Sequence, residues 1–170
     1  MSTSSLTGRT ALVPGGANGI GRACVVALRE AGATVHLVDV DRASATDVAD
    51  ECGAVAHVAD LTDPVATESL PRDVDILVNN AGVQHIAPIQ EFVPERFELI
   101  QRLMVTAPFL LMRHCLPAMY ERGWGRIVNI SSVHGLRASP HKSAYVAAKH
   151  ALEGLSKVAA VEGAERGVTS

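Results

Sequence analysis

The sequence has few aromatic residues, few cysteines and no long hydrophobic run, and each shortage excludes a class of protein. Phe, Trp and Tyr make up 4% of the 170 residues, so aliphatic side chains must form the core. Cys24, Cys52 and Cys115 are odd in number and have no CxxC spacing, which argues against a disulfide framework or a zinc site. The longest apolar run, at residues 103–112, is too short to span a bilayer.

The charge pattern also lacks any feature that would attract a polyanion. The formal net charge is −3 and no basic block occurs, so neither nucleic acid nor an anionic membrane is an expected partner. Residues 1–8 are polar and contain no apolar signal core. We therefore expect a cytoplasmic protein that has no targeting segment and that binds a small molecule. Its length and its 48% hydrophobic content fit one aliphatic α/β domain over residues 1–170.

Five short apolar runs organise the chain. They predict parallel strands at residues 10–14, 34–38, 54–59, 74–78 and 126–130, with helices at 22–31, 42–51, 94–122 and 142–162. A break is expected near Pro108, because an interior proline costs a helix about 3 kcal/mol. The chain shows no repeat and stops without a further strand, so the fifth strand should be an exposed sheet edge.

A glycine-rich turn, Gly15-Gly16-Ala17-Asn18-Gly19-Ile20-Gly21, follows the first strand. Its glycines allow the backbone to approach a pyrophosphate, which the N-terminus of the next helix would bind. A plain tight turn explains the glycines alone equally well. Asp39, at the tip of the second strand, favours the nucleotide, since its carboxylate can bind the ribose hydroxyls and repels the extra phosphate of NADP. A helix cap is the alternative for Asp39, although Asp41 suits that role better.

Polar residues also follow the third and fourth strands. Asp60, before Leu61, can reach an adenine amino group or simply close a turn. Asn79-Asn80-Ala81-Gly82 lies at the edge where open parallel sheets bind ligands, and its amides can contact a cofactor or fix the strand ends. His57 has no second ligand at metal spacing, so no metal site is expected.

The most informative stretch places Ser132 after the fifth strand, and Tyr145 and Lys149 on the last helix. Residues i and i+4 share a helix face, so this phenol and this ammonium can address one small volume. Ionising a tyrosine near neutral pH needs roughly 4 kcal/mol. An ammonium about 4 Å away supplies about that much at an effective dielectric constant of about 20. The stretch therefore predicts acid–base chemistry at the edge that carries the glycine turn.

Together, the glycine turn, Asp39, residues 79–82, Ser132 and the Tyr145/Lys149 pair resemble the short-chain dehydrogenase/reductase family over the whole chain. Residues 81–88, 132–136 and 139–145 are similar, more narrowly, to those of bacterial 3-hydroxybutyrate dehydrogenases. The resemblance implies a doubly wound, Rossmann-like α/β fold with strand order 3-2-1-4-5. It also implies NAD as the cofactor and a homotetramer packed through the two long helices.

The resemblance assigns roles to particular residues. Ser132, Tyr145 and Lys149 would be catalytic, and a small carboxylate substrate would be bound by Gln84, Ser132, His134, Lys142 and Tyr145. The cofactor would contact Gly15, Asn18, Gly19, Ile20, Gly21, Asp39, Asp60, Leu61, Asn80, Ala81, Gly82, Tyr145 and Lys149. From the residues alone, a cation near Tyr145 selects an anion, whereas solvated surface positions are the alternatives for Lys142 and His134.

Three features depart from the family pattern. Pro14 replaces a threonine, which removes a hydroxyl and a backbone N–H from the glycine turn. Met104 replaces the asparagine of the family's catalytic tetrad, and a thioether relays no proton as an amide does. The chain stops at Ser170, before the region that would supply the substrate lid. Two classes remain. The first is an NAD-dependent hydroxy-acid dehydrogenase, or a related short-chain dehydrogenase that acts on another hydroxy or keto substrate. The second is a non-catalytic NAD-binding fragment.

Overall fold

The structure, a computed structural model, describes residues 5–170. The first half of the polar segment at residues 1–8 lies outside this range. The six strands described are β1 (Thr10–Pro14), β2 (Thr34–Asp39), β3 (Val55–Val58), β4 (Ile76–Asn79), β5 (Gly125–Asn129) and β6 (Val168–Thr169). The α-helices of the same range are α1 (Gly19–Glu30), α2 (Arg42–Cys52), α3 (Pro94–Gln101), α4 (Ala107–Arg122) and α5 (Ser143–Gly163). Every helix in this range is too short or too polar to span a bilayer.

The strands form one parallel sheet in the order β3-β2-β1-β4-β5-β6, which confirms the Rossmann-like fold. Strands of such a sheet are buried on both faces, and adjacent side chains point to opposite faces. Leu12 accordingly belongs to the core that contains Met112 of α4. Val13 belongs to the core that contains Val25 of α1 and Val48 of α2. The sheet is thus covered on one face by α1 and α2 and on the other by α4 and α5.

The strand order reverses between β1 and β4, and this reversal positions the site. Ligands of open parallel sheets bind at such a switch point, outside the carboxyl ends of the strands. The glycine turn follows β1, Asn80 follows β4 and Ser132 follows β5. Asp39 is the last residue of β2. All four features therefore lie at one edge, as the sequence predicted.

A sixth strand corrects the expectation that the chain stops before another strand. Gly167 adopts a left-handed conformation (φ 69°), and it directs Val168 and Thr169 alongside Gly125 and Arg126 of β5. Two residues carry too little pattern to be recognised as a strand. β6 pairs only with Gly125 and Arg126 at the start of β5, and Val128, further along β5, is 45% exposed.

The predicted helix over residues 94–122 is interrupted, as expected, next to Pro108. A π-helical segment, Arg102–Thr106, separates α3 from α4, and Pro108 is the second residue of α4. Because proline has no N–H, the carbonyl of Met104 lacks its usual donor four residues later. Met104 thus lies inside the π-helical segment.

The amino ends of β1 and β4 are joined by a polar cluster around Asp75. This buried carboxylate accepts hydrogen bonds from Arg9 Nη1 (2.9 Å) and from the Thr10 N–H (2.8 Å). The guanidinium groups of Arg9 and Arg126 lie 3.8 and 4.4 Å from the ring centroid of Trp124, the single tryptophan. The cluster lies at the opposite end of the sheet from the glycine turn.

Candidate active site

The glycine turn packs against the loop after β4 so closely that side chains are excluded. A Cβ on Gly21 would lie 2.0 Å from the carbonyl oxygen of Gly15, and a Cβ on Gly15 would lie 2.9 Å from Ala81 Cα. Asn80 Nδ2 donates to the carbonyl of Gly15 at 2.9 Å. Asn80 therefore fixes the end of β4 to the glycine turn. The N-terminus of α1 lies next to this turn.

The glycine turn makes several hydrogen bonds around Pro14. The Gly15 and Gly16 N–H groups both donate to the carbonyl of Val38, at 2.7 and 3.2 Å. Asn80 Nδ2 also approaches the carbonyl of Pro14 at 3.4 Å. The turn is therefore held by groups other than the one that proline removes.

Asp39 is oriented by the glycine turn itself. Its Oδ2 accepts from the Ala17 N–H and its Oδ1 from the Asp41 N–H, both at 3.2 Å. Asp41 caps α2 by accepting from the Ala43 and Ser44 N–H groups, which confirms the assignment of the cap to Asp41. Asp39 therefore does not cap α2, and its carboxylate lies beside the glycine turn.

Asp60 closes its own turn, because its Oδ1 accepts from both the N–H and the hydroxyl of Thr62. It nevertheless lines the same groove as Asp39, and the groove has a volume of about 530 Å³. Ten predicted cofactor contacts line it: Gly15, Asn18, Gly19, Ile20, Asp39, Asp60, Leu61, Asn80, Ala81 and Gly82. Gly21 lies beneath Gly15, and Tyr145 and Lys149 lie outside this lining. The glycine cradle and the groove fit a dinucleotide.

Lys149 is buried beside Tyr145 on α5. It is 4% exposed, its Nζ donates to the carbonyl of Ile130, and it lies 5.6 Å from the centroid of the Tyr145 ring. Burial lowers the pKa of the Lys149 ammonium. Ser132 precedes a short 3-10 turn, and its hydroxyl oxygen accepts from the His134 N–H at 3.2 Å. The structure therefore brings the phenol and the ammonium together as predicted.

Lys142 and His134 form a second pair next to Tyr145. Lys142 Nζ lies 3.3 Å from His134 Nε2, and the His134 ring meets the Tyr145 ring edge to face at 5.9 Å between centroids. An ammonium is only a donor, so Nε2 accepts and the ring proton lies on Nδ1. Nδ1 is buried without a partner among residues 5–170. Lys142 makes no salt bridge within the described range.

Gln84 and Met104 complete the survey of predicted positions. Gln84 is exposed on the loop after β4, and no hydrogen bond described for residues 5–170 connects it to Lys142 or His134. Met104 is buried with Ile100 and Ala144, so it lies below the site rather than open to it. The structure therefore gathers Lys142, His134 and Tyr145, and it leaves Gln84 apart.

Sequence reasoning missed a histidine pair on β2 and β3. His36 Nδ1 lies 2.9 Å from His57 Nε2. The sequence spacing gives His57 no second metal ligand, so this neighbour was not expected. The two residues are 21 positions apart, and only the parallel register of β2 and β3 makes them neighbours. The two rings therefore form a hydrogen bond between β2 and β3, and no group of three possible metal ligands occurs in the described part of the chain.

Comparison with known proteins agrees with the fold and with the candidate site. Residues 9–170 match the family described as short chain dehydrogenase. The chain belongs to the short-chain dehydrogenase family. It is 41% identical to the D-beta-hydroxybutyrate dehydrogenase of Cupriavidus necator, over 97% of this chain and 69% of that protein. It is 43% identical to the enzyme of the same name from Rhizobium meliloti, over 95% of this chain and 68% of that protein.

A solved structure from Beutenbergia cavernae extends the comparison to three dimensions. It is described as an NAD(P) dependent gluconate 5-dehydrogenase with bound NADP at low occupancy. It superposes with a TM-score of 0.88 at 37% identity, over 98% of this chain and 71% of that one. The short-chain dehydrogenase described here is therefore an oxidoreductase of a family that uses a nicotinamide cofactor.

Proposed function

We propose that this short-chain dehydrogenase interconverts 3-hydroxybutyrate and acetoacetate with NAD as its cofactor. The observation that carries the proposal is the Lys142/His134 pair against the ring of Tyr145. A cation without a carboxylate partner, next to the group proposed for proton transfer, selects a small substrate with a carboxylate near its hydroxyl. The 41% and 43% identities to D-beta-hydroxybutyrate dehydrogenases support the same substrate.

Asp39 supports NAD rather than NADP. Its carboxylate lies at the groove and is held by the Ala17 N–H, so it cannot turn away from the ribose without losing that bond. A fixed negative charge there binds the ribose hydroxyls and repels a 2′-phosphate. When bound, the nicotinamide supplies the acceptor for the hydride that leaves C3 of the substrate.

The proton is handled by Tyr145, Lys149 and Ser132. Tyr145 removes the proton from the substrate hydroxyl during oxidation and returns one during reduction. The buried Lys149 places its ammonium beside the Tyr145 ring, where it stabilises negative charge that develops on the phenol oxygen during proton transfer, because opposite charges attract strongly in a low-dielectric site. Since the Ser132 oxygen accepts from the His134 N–H, its own hydroxyl hydrogen is free to donate to the substrate oxygen.

The carboxylate of the substrate is bound by the Lys142 ammonium, which His134 Nε2 orients by accepting its hydrogen bond, and we infer that Gln84 approaches from the opposite loop when substrate enters. A charge-assisted hydrogen bond from Lys142 fixes the distance between the carboxylate and the reacting carbon. With the carboxylate held there, the C3 hydroxyl would lie at Tyr145, so we expect a preference for 3-hydroxy acids.

We also propose that the chain acts as one cofactor-binding domain within a homotetramer. Phe109 of α4 is 48% exposed and Val161 of α5 is 78% exposed, so both long helices present apolar side chains to solvent. Such residues suit an interface between copies. Sedimentation velocity measures the assembly, and a monomer at all concentrations would contradict it.

A paired assay tests the proposed function. NADH formation is followed with 3-hydroxybutyrate, and NAD binding is titrated calorimetrically on the same sample. We expect turnover that saturates with substrate and a lower affinity for NADP than for NAD. Binding without turnover would instead identify a nucleotide-binding protein that is not a 3-hydroxybutyrate dehydrogenase. Turnover of neutral hydroxy compounds, but not of hydroxy acids, would contradict the role of Lys142.

A further inference from the structure

His141 has a backbone conformation that its side chain does not favour. Among residues 5–170 it is the one residue other than glycine with a positive φ, at 67°. It follows Pro140 in a turn. Proline followed by a positive φ is the pattern of a type II turn, in which glycine or asparagine is preferred at the second central position. Its side chain is exposed, so the conformation is not a result of side-chain packing.

A single hydrogen bond ties this turn to the opposite wall of the site. The carbonyl of His141 accepts from the Ala87 N–H at 3.0 Å. Ala87 lies three residues after Gln84, on the loop after β4. In the described part of the chain, this is the one backbone bond between that loop and the segment before α5. The conformation of His141 therefore determines where the two segments meet.

The turn at His141 directly precedes Lys142, so its conformation affects the position of Lys142. Lys142 is the N-cap of α5, since its carbonyl accepts from the Val146 N–H, and its Nζ lies 3.3 Å from His134 Nε2. We propose that His141 is a positioning residue, whose left-handed turn, locked by Ala87, holds the Lys142 ammonium in the carboxylate site. This inference rests on the proposed function. It predicts that backbone preference at position 141, rather than the imidazole, determines substrate affinity.

Three substitutions separate the backbone from the side chain. His141→Val introduces a β-branched residue, which is strongly disfavoured at positive φ. His141→Asn and His141→Gly remove the imidazole and keep the turn. We expect His141→Val to raise the KM for 3-hydroxybutyrate about tenfold, because small displacements of a binding group weaken the productive complex. The dissociation constant of NAD should be unchanged, and kcat should change much less than KM.

The Asn and Gly variants test whether a residue that tolerates a positive φ preserves substrate affinity without the imidazole. His141→Asn and His141→Gly should keep the wild-type KM, and their melting temperatures should equal or exceed that of the wild type. His150→Val is the matched control, since His150 is an exposed histidine on α5, and it should leave KM unchanged. An Asn variant that behaves like the Val variant would overturn the inference, because the imidazole would then be the active feature.

Two measurements work without turnover. Hydrogen exchange of the Ala87 amide should be faster in His141→Val than in the wild type and unchanged in His141→Asn. Acetate, a carboxylate that is not oxidised, should shift the NMR signals of the His134 ring in wild type and more weakly in His141→Val. If no form oxidises 3-hydroxybutyrate, the proposed function fails while these measurements still test His141. Unchanged exchange and unchanged acetate binding in His141→Val would refute the role of His141.

Discussion

The thioether of Met104 packs directly against Gly82. A Cβ on Gly82 would lie 3.3 Å from Met104 Cε and 3.4 Å from its Sδ. The contact joins the π-helical segment before α4 to the loop after β4, and Ala144 of α5 belongs to the same cluster. An apolar side chain therefore fills the space below Tyr145 where the family pattern has an amide.

Replacing this side chain tests whether the amide is needed for proton transfer. We expect Met104→Asn to raise kcat by about tenfold, since a positioned proton relay contributes at least that much. The same change should lower the free energy of unfolding by about 1–3 kcal/mol, because the amide is buried with few partners. Steady-state kinetics and urea denaturation measure the two effects. Met104→Leu is the control, and it should change the stability by less than about 1.5 kcal/mol. An unchanged kcat in Met104→Asn would show that the proton leaves by another route.

Tyr145→Phe should abolish turnover and leave NAD binding intact. This substitution removes the hydroxyl that we propose exchanges the proton with the substrate, and such a group contributes at least about a hundredfold. The matched control is Tyr120→Phe, since Tyr120 is the other tyrosine of the chain and its buried hydroxyl has no partner in the described range. NADH absorbance and calorimetric titration of NAD measure the two properties. Turnover that survives in Tyr145→Phe would remove this residue from the mechanism.

Asp39→Ser should shift the cofactor preference toward NADP. Without the carboxylate, repulsion of the 2′-phosphate disappears, and we expect NADP affinity to rise by about tenfold. NAD affinity should fall because the ribose hydroxyls lose their acceptor. Asp41→Ser is the control. Serine also caps a helix, so this substitution removes a nearby negative charge without changing a residue that lines the groove. Equal effects of the two substitutions would mean that net charge alone, and not Asp39, sets the preference.

Stability should fall in mildly acidic solution because of His36 and His57. Burial lowers the pKa of both rings below 6.5, and the charge of His57 lowers the pKa of His36 further. The unfolded chain therefore binds protons near pH 6.5 that the folded chain excludes, so stability is full above that pH and decreases below it. Melting temperatures between about pH 7.5 and pH 5 measure the decrease. His57→Gln should flatten the profile, whereas His150→Gln, at an exposed histidine, should not. An equal slope in both variants would assign the decrease to other groups.

The sequence predicts β1 to β5 within two residues, because each is a buried apolar run between turn residues. It also places Asp39, Ser132 and Tyr145 at one edge, since carboxyl ends of parallel strands share an edge. Features set by register or by a single dihedral escape such reasoning. The His36/His57 pair depends on how β2 and β3 align, and the positive φ at His141 is signalled only by the proline before it.

The position of Trp124 provides an optical probe for all of these variants. Its indole stacks with Arg9 and Arg126 at the amino end of the sheet, and β1, of five residues, separates that end from the glycine turn by about 17 Å. Emission from this single tryptophan therefore reports the packing of β1, β4 and β5 without direct contact with a bound nucleotide. Loss of the native emission will mark unfolding, so an inactive variant with native fluorescence is a folded protein whose chemistry has changed.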